Sequence, residues 1–440
     1  MKINLISPRG STTGDEVVER IFSETKDFQG YIESLTKASS SGLLVIASLT
    51  PAEHVVRIID ENCEDVDFND DCDLVGISAM TQQATRAYEI ADEFRRRGRT
   101  VVMGGIHATV MPEEAKNHCD SVFIGEAEET WPVFLDDFRK GVISDYYRSG
   151  KPADLTILPV PRYDLLKKDN YRVIWLQTSR GCPHDCEFCA ASRIYGHAYR
   201  HKTVEQVVRE INVIQNIWPD ARINFADDNL FVNRKYSREL VGRLRDLNIR
   251  WFAQTDIAIA NDVELLRQMK SAGCTTLLIG FESISERNLQ MINSNGWKMK
   301  KASTYADAIR TIQSCGIGVV GAFIIGLDGD TEEGLDELAE FIITNNMFMA
   351  QISILTPFPG TRLYDRLRGE HRILGRPWSD YTGMQVNIQP RLMSVEELQK
   401  GFYKIYQRIY DKDVRVKTLK HFKSIFKALS CTVENEIKNS

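Results

Sequence analysis

The sequence predicts an α/β protein with two successive parallel-sheet parts. A doubly wound parallel sheet covers residues 1–145 and a partial (β/α)6 barrel covers 171–385, with a linker at 146–170 and a helical C-terminal segment at 386–440. Three observations lead there. Short apolar runs alternate with stretches of helical periodicity, as expected for strands covered on both faces by crossover helices. The alternation breaks where Pro152, Pro159 and Pro161 interrupt an aperiodic stretch, then resumes. Directly after the first strand of the second series, three cysteines crowd together.

In the first part, strands are expected at Ile3–Ser7, Leu43–Leu49, Leu74–Ser78, Thr100–Met103 and Val122–Ile124. Helices are expected at Ala52–Asn62, Thr85–Arg97 and Ala127–Lys140. Ligands of such sheets sit at the carboxyl ends of the strands, where strand order reverses. Those ends fall on Ser7–Thr13, Ser78–Gln82, Gly104–Thr109 and Gly125–Glu128. Paired Gly104 and Gly105 allow a large ligand to approach the backbone closely. No Gly-x-Gly-x-x-Gly follows a strand, so a dinucleotide fingerprint is missing.

In the second part, strands are expected at Val173–Thr178, Arg222–Phe225, Trp251–Thr255, Thr276–Phe281, Val319–Ile325 and Gln351–Leu355. Helices at Val204–Ile217, Lys235–Leu247, Val263–Ser271 and Glu332–Thr344 lie between them. Chemistry in such barrels gathers at the carboxyl ends of the strands. The C-terminal segment places Phe402, Tyr403, Tyr406 and Tyr410 at helical spacing. It then turns basic, with Lys412, Arg415, Lys417, Lys420, Lys423 and Lys427 among Val416, Leu419, Phe422 and Phe426. This is a packed terminal helix with a solvated basic face, or else a peripheral contact with an anionic membrane.

A net charge of −6 argues against a broadly basic nucleic-acid surface, and no nucleic-acid partner is expected. The apolar start Met1–Ile6 is too short for a signal peptide and reads as the first strand, so the expected location is cytoplasmic. Of nine cysteines, Cys63, Cys72, Cys119, Cys274, Cys315 and Cys431 are scattered and read as ordinary thiols.

Cys182, Cys186 and Cys189 have C-x₃-C-x₂-C spacing within Gly181-Cys182-Pro183-His184-Asp185-Cys186-Glu187-Phe188-Cys189. A [4Fe–4S] cubane ordinarily takes four thiolates, so three leave one iron open to a small ligand. A structural zinc site asks for a fourth ligand from a second pair, which the sequence lacks, although His184, His197 and His201 are near. A redox C-x-x-C motif would leave Cys182 idle.

The triad, Phe188 before its last cysteine and the six units that follow resemble the radical S-adenosylmethionine (SAM) superfamily over about 171–385. The resemblance implies that SAM binds the open iron and is reductively cleaved. The resulting 5′-deoxyadenosyl radical takes a hydrogen atom from a small-molecule, natural-product or lipid-like substrate. An external one-electron reductant such as flavodoxin or ferredoxin is implied. It also implies SAM contacts from Phe188, from Ala226, Asp227 and Asp228 after the second strand, and from Gln254, Glu282, Ile324 and Thr356 at the later strand ends. Which carboxylate of Asp227 and Asp228 meets the SAM amino group stays open.

The first part resembles, over about 40–140, the Rossmann-like cobalamin-binding domain joined to many radical SAM enzymes. That implies cobalamin against Ser7, Ser78, Thr81, Gly104, Gly105, His107, Ala108, Gly125, Glu126 and Glu128. Asp-x-His-x-x-Gly is missing, and His107 is not assigned as an axial ligand. The pairing implies cobalamin-dependent methylation of an unactivated carbon. The alternatives are a radical cyclisation, ring rearrangement or carbon–carbon coupling without methylation, or a non-catalytic metal-binding protein.

Overall fold

The structure is a computed structural model that describes residues 1–10, 17, 20, 40–292 and 296–439, with side chains to residue 429. Residues 11–13 of the first expected ligand loop and the side chain of Cys431 lie outside the described residues.

The first sheet consists of β1 (Lys2–Ser7), β2 (Val55–Asp60), β3 (Leu74–Ser78), β4 (Thr100–Gly104), β5 (Ser121–Ile124) and β6 (Tyr146–Arg148). All pairs are parallel and the order is β2-β1-β3-β4-β5-β6, so the reversal falls between β1 and β3. Two expectations were exchanged. Ser41–Leu49, expected as a strand, is a helix, and the expected helix Ala52–Asn62 contains β2. A short apolar run carries too little periodicity to separate strand from buried helix. Here tertiary contact decides: Leu43, Leu44 and Ala47 bury one face, while Thr50 at the helix end receives a 2.9 Å bond from Trp131 Nε1. β2 is an edge strand whose Arg57 turns outward to Glu64 and Asp70.

The stretch expected as a linker begins with β6, which pairs Val122 with Tyr146. Its remainder is packed rather than loose. The Arg162 amide donates to the Leu44 carbonyl at 3.1 Å, and the buried Tyr163 hydroxyl donates to Glu210 at 2.7 Å.

The second sheet begins with β7 (Val173–Leu176), after which comes a small ribbon of β8 (Ser179–Arg180) and β9 (Arg200–His201). It continues through β10 (Arg222–Phe225), β11 (Arg250–Thr255), β12 (Cys274–Glu282), β13 (Gly318–Ile325) and β14 (Met349–Ile354). Its six parallel strands run in the order β14-β13-β12-β11-β10-β7, leaving β7 and β14 as open edges of a partial barrel. Helices Val204–Ile217, Val263–Ser271 and Glu332–Thr344 lie where periodicity predicts them.

The C-terminal segment closes the β14 edge. Helix Val395–Ile409 starts in a capping box of Ser394 and Glu397. It presents Tyr406, whose hydroxyl accepts from the Ile352 amide and donates to the Ile352 carbonyl, both at 3.1 Å. Just past the helix, Tyr410 meets Ala350 in the same way. Two phenols thus satisfy alternate backbone groups that an edge strand would expose. The basic helix Lys412–Asn439 follows, with Phe422 buried edge-on against Phe348 and Lys412, Lys417, Lys420, Lys423 and Lys427 turned outward. Among the described residues, no helix is long and apolar enough to cross a membrane.

Candidate functional site

The cysteines occupy a loop that leaves β7 and returns through β9. Gly181 must be glycine: its φ is +91°, and a Cβ there would stand 2.2 Å from the Ala198 carbonyl oxygen. Cys182 and Cys186 are buried, Cys189 half-buried, and none is in a disulfide. Burial raises the Cys182 thiol to about 11 and the Cys189 thiol to about 12, with the nearby negative charge of Asp228 adding to both. Burial of this kind disfavours bare thiolates and favours thiolates held by metal.

Among the described residues no three His, Cys, Asp or Glu side chains converge tightly enough to share a single metal ion. A cubane asks for a different arrangement, with each thiolate on its own iron. Three spaced sulfurs at a barrel mouth fit that donor set.

The loop is anchored on several sides. His184 donates to Asp256 at 3.3 Å and packs on Trp297, and Asp256 also receives the Asn229 amide at 2.8 Å. Glu187 pairs with Arg366 at 2.6 Å and Asp185 with Arg362 at 2.7 Å, tying the loop to helix Arg362–Gly369.

The two adjacent carboxylates after β10 separate cleanly. Asp227 is fully buried and accepts bonds from the Thr178 amide and hydroxyl, at 3.2 and 2.7 Å, and from the Ser179 hydroxyl. It is committed to the strand end that leads into the cysteine loop. Asp228 is exposed at the mouth beside the thiols, and its pKa is raised to about 6 by surrounding protein and then by the charge of Asp227. Of the two, only Asp228 has a carboxylate open to an ammonium group.

The other barrel candidates lie around the same strand ends. The Ala226 amide donates to Leu176 at 2.8 Å, and Phe188, Gln254 and Ile324 are half-buried. The Thr356 hydroxyl donates to the Ile354 carbonyl at 2.9 Å, a local turn bond. Glu282 follows a register shift in β12 with φ at +65°, and its carboxylate is paired with buried Lys298. The charges of Glu282 and Cys186 more than offset the burial of Lys298 and raise its pKa. Lys298 and Asp256 were not legible in advance, because no motif links them to the triad, whereas His184 lies within the motif itself.

In the first sheet, Ser78, Gly104 and Gly105 lie together at the ends of β3 and β4. Gly105 has φ +88° and packs against Ser78 and Ala79. Gly125 has φ +84° with open space where a Cβ would point, and its amide donates to the Thr109 hydroxyl at 3.0 Å. Ala108 is buried, and the Ser7 carbonyl accepts the Glu61 amide at 3.0 Å. A cleft of about 600 Å³ opens beside the order reversal, lined among the described residues by Arg9, Glu61, Asp65, Gln82, Thr85 and Arg86.

Four expected cobalamin contacts are instead engaged within the protein. His107 is 1% exposed, held by the Tyr88 hydroxyl at 2.9 Å and Thr81 at 3.4 Å, with Trp378 across its ring. Thr81 is itself buried in this cluster. Glu126 and Glu128 do not face open space; they form buried ion pairs with Arg180 at 3.0 and 2.5 Å. Buried carboxylates demand partners, and guanidinium groups supply them.

Comparison with known proteins agrees with this arrangement. Residues 176–342 match the radical SAM superfamily, residues 32–135 a B12 binding domain, and residues 361–436 a domain of unknown function. The chain is 32% identical over 391 residues to a bacteriochlorophyllide d C-8(2)-methyltransferase of Chlorobaculum tepidum, covering 85% of this chain and 86% of the relative. It is 30% identical to a hopanoid C-2 methylase of Rhodopseudomonas palustris, over 76% of this chain and 65% of that protein. Its fold resembles the radical SAM methyltransferase TsrM of Kitasatospora setae, with a TM-score of 0.66 at 16% identity, covering 84% of this chain and 76% of that one.

Proposed function

Because the chain belongs to the cobalamin-dependent radical SAM methyltransferase family, working with a [4Fe–4S] cluster, SAM and cobalamin, we propose that it methylates an unactivated carbon of a bulky, largely apolar small molecule. When bound, the cluster supplies the electron that cleaves SAM and cobalamin carries the methyl group. The protein's own residues hold and orient.

Cys182, Cys186 and Cys189 would each hold one iron, leaving the fourth for SAM. Asp228 would accept the SAM ammonium, and Phe188, Ala226, Gln254, Ile324 and Thr356 would line its remaining faces. Glu282 would meet the ribose only while sharing its carboxylate with Lys298. Ser78, Gly104, Gly105 and Gly125 would border the corrin, with the polar cleft beside Arg9 and Arg86 receiving its amide- and phosphate-bearing tail. Ser7 would serve through its backbone alone.

One observation carries this reading: the loop bearing the three cysteines is ion-paired directly to the carboxyl edge of the first sheet, through Arg180 with Glu126 and Glu128. Radical and methyl donor would therefore face one substrate. The substrate class follows the relatives, whose names specify a bacteriochlorophyllide and a hopanoid. The outward lysines of the terminal helix, with exposed Val416, Leu419 and Phe426, would suit contact with an anionic membrane carrying such a molecule.

The test uses reduced, cobalamin-loaded protein with methyl-labelled SAM and an apolar cell extract. Label in an apolar product, with S-adenosylhomocysteine and 5′-deoxyadenosine formed together, is expected. 5′-Deoxyadenosine and a changed but unlabelled product would instead establish a cyclisation or rearrangement. Among the relatives are anaerobic magnesium-protoporphyrin IX monomethyl ester cyclases, one from Cereibacter sphaeroides at 26% identity over 71% of this chain and 55% of the relative.

A further inference from the structure

The cysteine loop is closed at its neck by the two-stranded ribbon β8–β9, in which Arg180 stands directly opposite Arg200. Like charges in a directly opposed cross-strand pair repel, and a two-stranded ribbon has little stability of its own. Left to itself this neck would spring apart.

Two carboxylates from the first sheet reverse the balance. Glu126 and Glu128 follow β5 and reach across to the ribbon. Glu126 receives Arg180 at 3.0 Å and Arg200 at 2.8 and 3.1 Å, and it also accepts the Ala153 amide at 2.6 Å. Glu128 receives the other arm of Arg180 at 2.5 Å. Arg180 is further held by Gln177 at 2.9 Å and lies over the Tyr195 ring at 5.7 Å, while Arg200 donates to the Ala153 and Tyr195 carbonyls at 2.7 and 3.2 Å. The side chains of Arg180, Glu126 and Glu128 are each at most 8% exposed, so water screens little of this. Two positive and two negative charges meet in one buried cluster. Burial alone would raise the pKa of Glu126, but the arginines outweigh it and hold it below its ordinary value.

We propose that Glu126 and Glu128 are positioning residues for the cluster loop: by neutralising the opposed arginines they close its neck and set the cysteines in register with the edge of the first sheet. The inference deepens the functional reading above, since it says how the two half-sites are kept at a fixed spacing. Removing either carboxylate would then be felt at Cys182, two residues from Arg180.

The experiment follows backbone hydrogen exchange in the full chain purified without cofactors. In Glu126→Gln one negative charge is lost with little change of shape, and exchange across residues 181–199 should rise about tenfold or more. In the double variant Glu126→Gln, Arg200→Gln the charges balance again, and exchange should return toward that of the unaltered protein. Helix Val204–Ile217, outside the neck, serves as the internal reference. A second readout is the electron paramagnetic resonance spectrum of the reconstituted cluster on adding SAM, which should broaden in the single variant and sharpen again in the double. Unchanged exchange in the single variant overturns the proposal. So does a double variant no better protected than the single, or an opening that spreads equally through the reference helix. A protein that cleaves SAM but fails these comparisons loses only this inference. One that passes them but never cleaves SAM loses the functional reading instead.

Discussion

Asp227 and Asp228 are neighbours of identical chemistry whose surroundings give them different work. Asp227 is sealed in and accepts three bonds from Thr178 and Ser179, so Asp227→Asn should cost about 1–3 kcal/mol of folding stability, read by urea unfolding. Asp228 is open at the mouth, so Asp228→Asn should leave the unfolding midpoint nearly unchanged. It should weaken SAM binding about tenfold, the worth of roughly 1.4 kcal/mol, read by equilibrium titration of the cluster-loaded protein. Equal effects on binding from both variants would remove the distinction. The sequence placed both residues at the right strand end, but burial is a tertiary property and chose between them.

Two devices act at the scale of elements. The cysteine loop turns on Gly181, where any side chain meets both a left-handed backbone and the Ala198 carbonyl. Gly181→Ala should therefore fold its barrel yet fail to retain a full cluster, measured as iron per chain after anaerobic reconstitution. On the opposite edge, Tyr406 satisfies the amide and carbonyl of Ile352 together. Tyr406→Phe strands two buried backbone groups and should cost about 1–3 kcal/mol, with the fall in melting temperature as its measure. The helices and strands of the barrel were legible because each is long and periodic enough to declare itself. Helix Ser41–Leu49 and strand β2 were not, since both are short and apolar and only their packing against Trp131 and β1 settles them.

At the scale of the whole molecule, the first sheet, the barrel and the C-terminal segment are tied by polar contacts between distant positions. Trp378 donates to Glu114 at 2.7 Å and lies against buried His107, joining the end of the barrel part to the first sheet. Burial lowers the His107 pKa from its ordinary 6.5, against the opposing pull of Glu114. The unfolded chain therefore takes up a proton at higher pH than the folded one does. Stability contributed by neutral His107 is present above about 6.5 and is lost as pH falls from there toward the folded-state pKa. Unfolding free energy measured from about pH 7.5 to about pH 5, across the ordinary histidine value of about 6.5, should fall on acidification, and His107→Gln should flatten part of that slope. Identical slopes would show that this histidine is not held neutral.

By itself the sequence determined the order of elements in the barrel, the spacing of the cysteine triad and the pairing of a SAM-cleaving part with a cobalamin-binding part. Each is written in local spacing: the period of apolar residues, three cysteines within one loop, glycines at strand ends. Only the tertiary structure decided that Glu126 and Glu128 face arginines rather than a cofactor, that His107 is walled in, and that Lys298 shares the carboxylate of Glu282. Such pairings join residues far apart in the chain, and no local period records which charges will be buried together. Desolvation makes each buried charge require its partner, and that requirement exists only once the sheets have met.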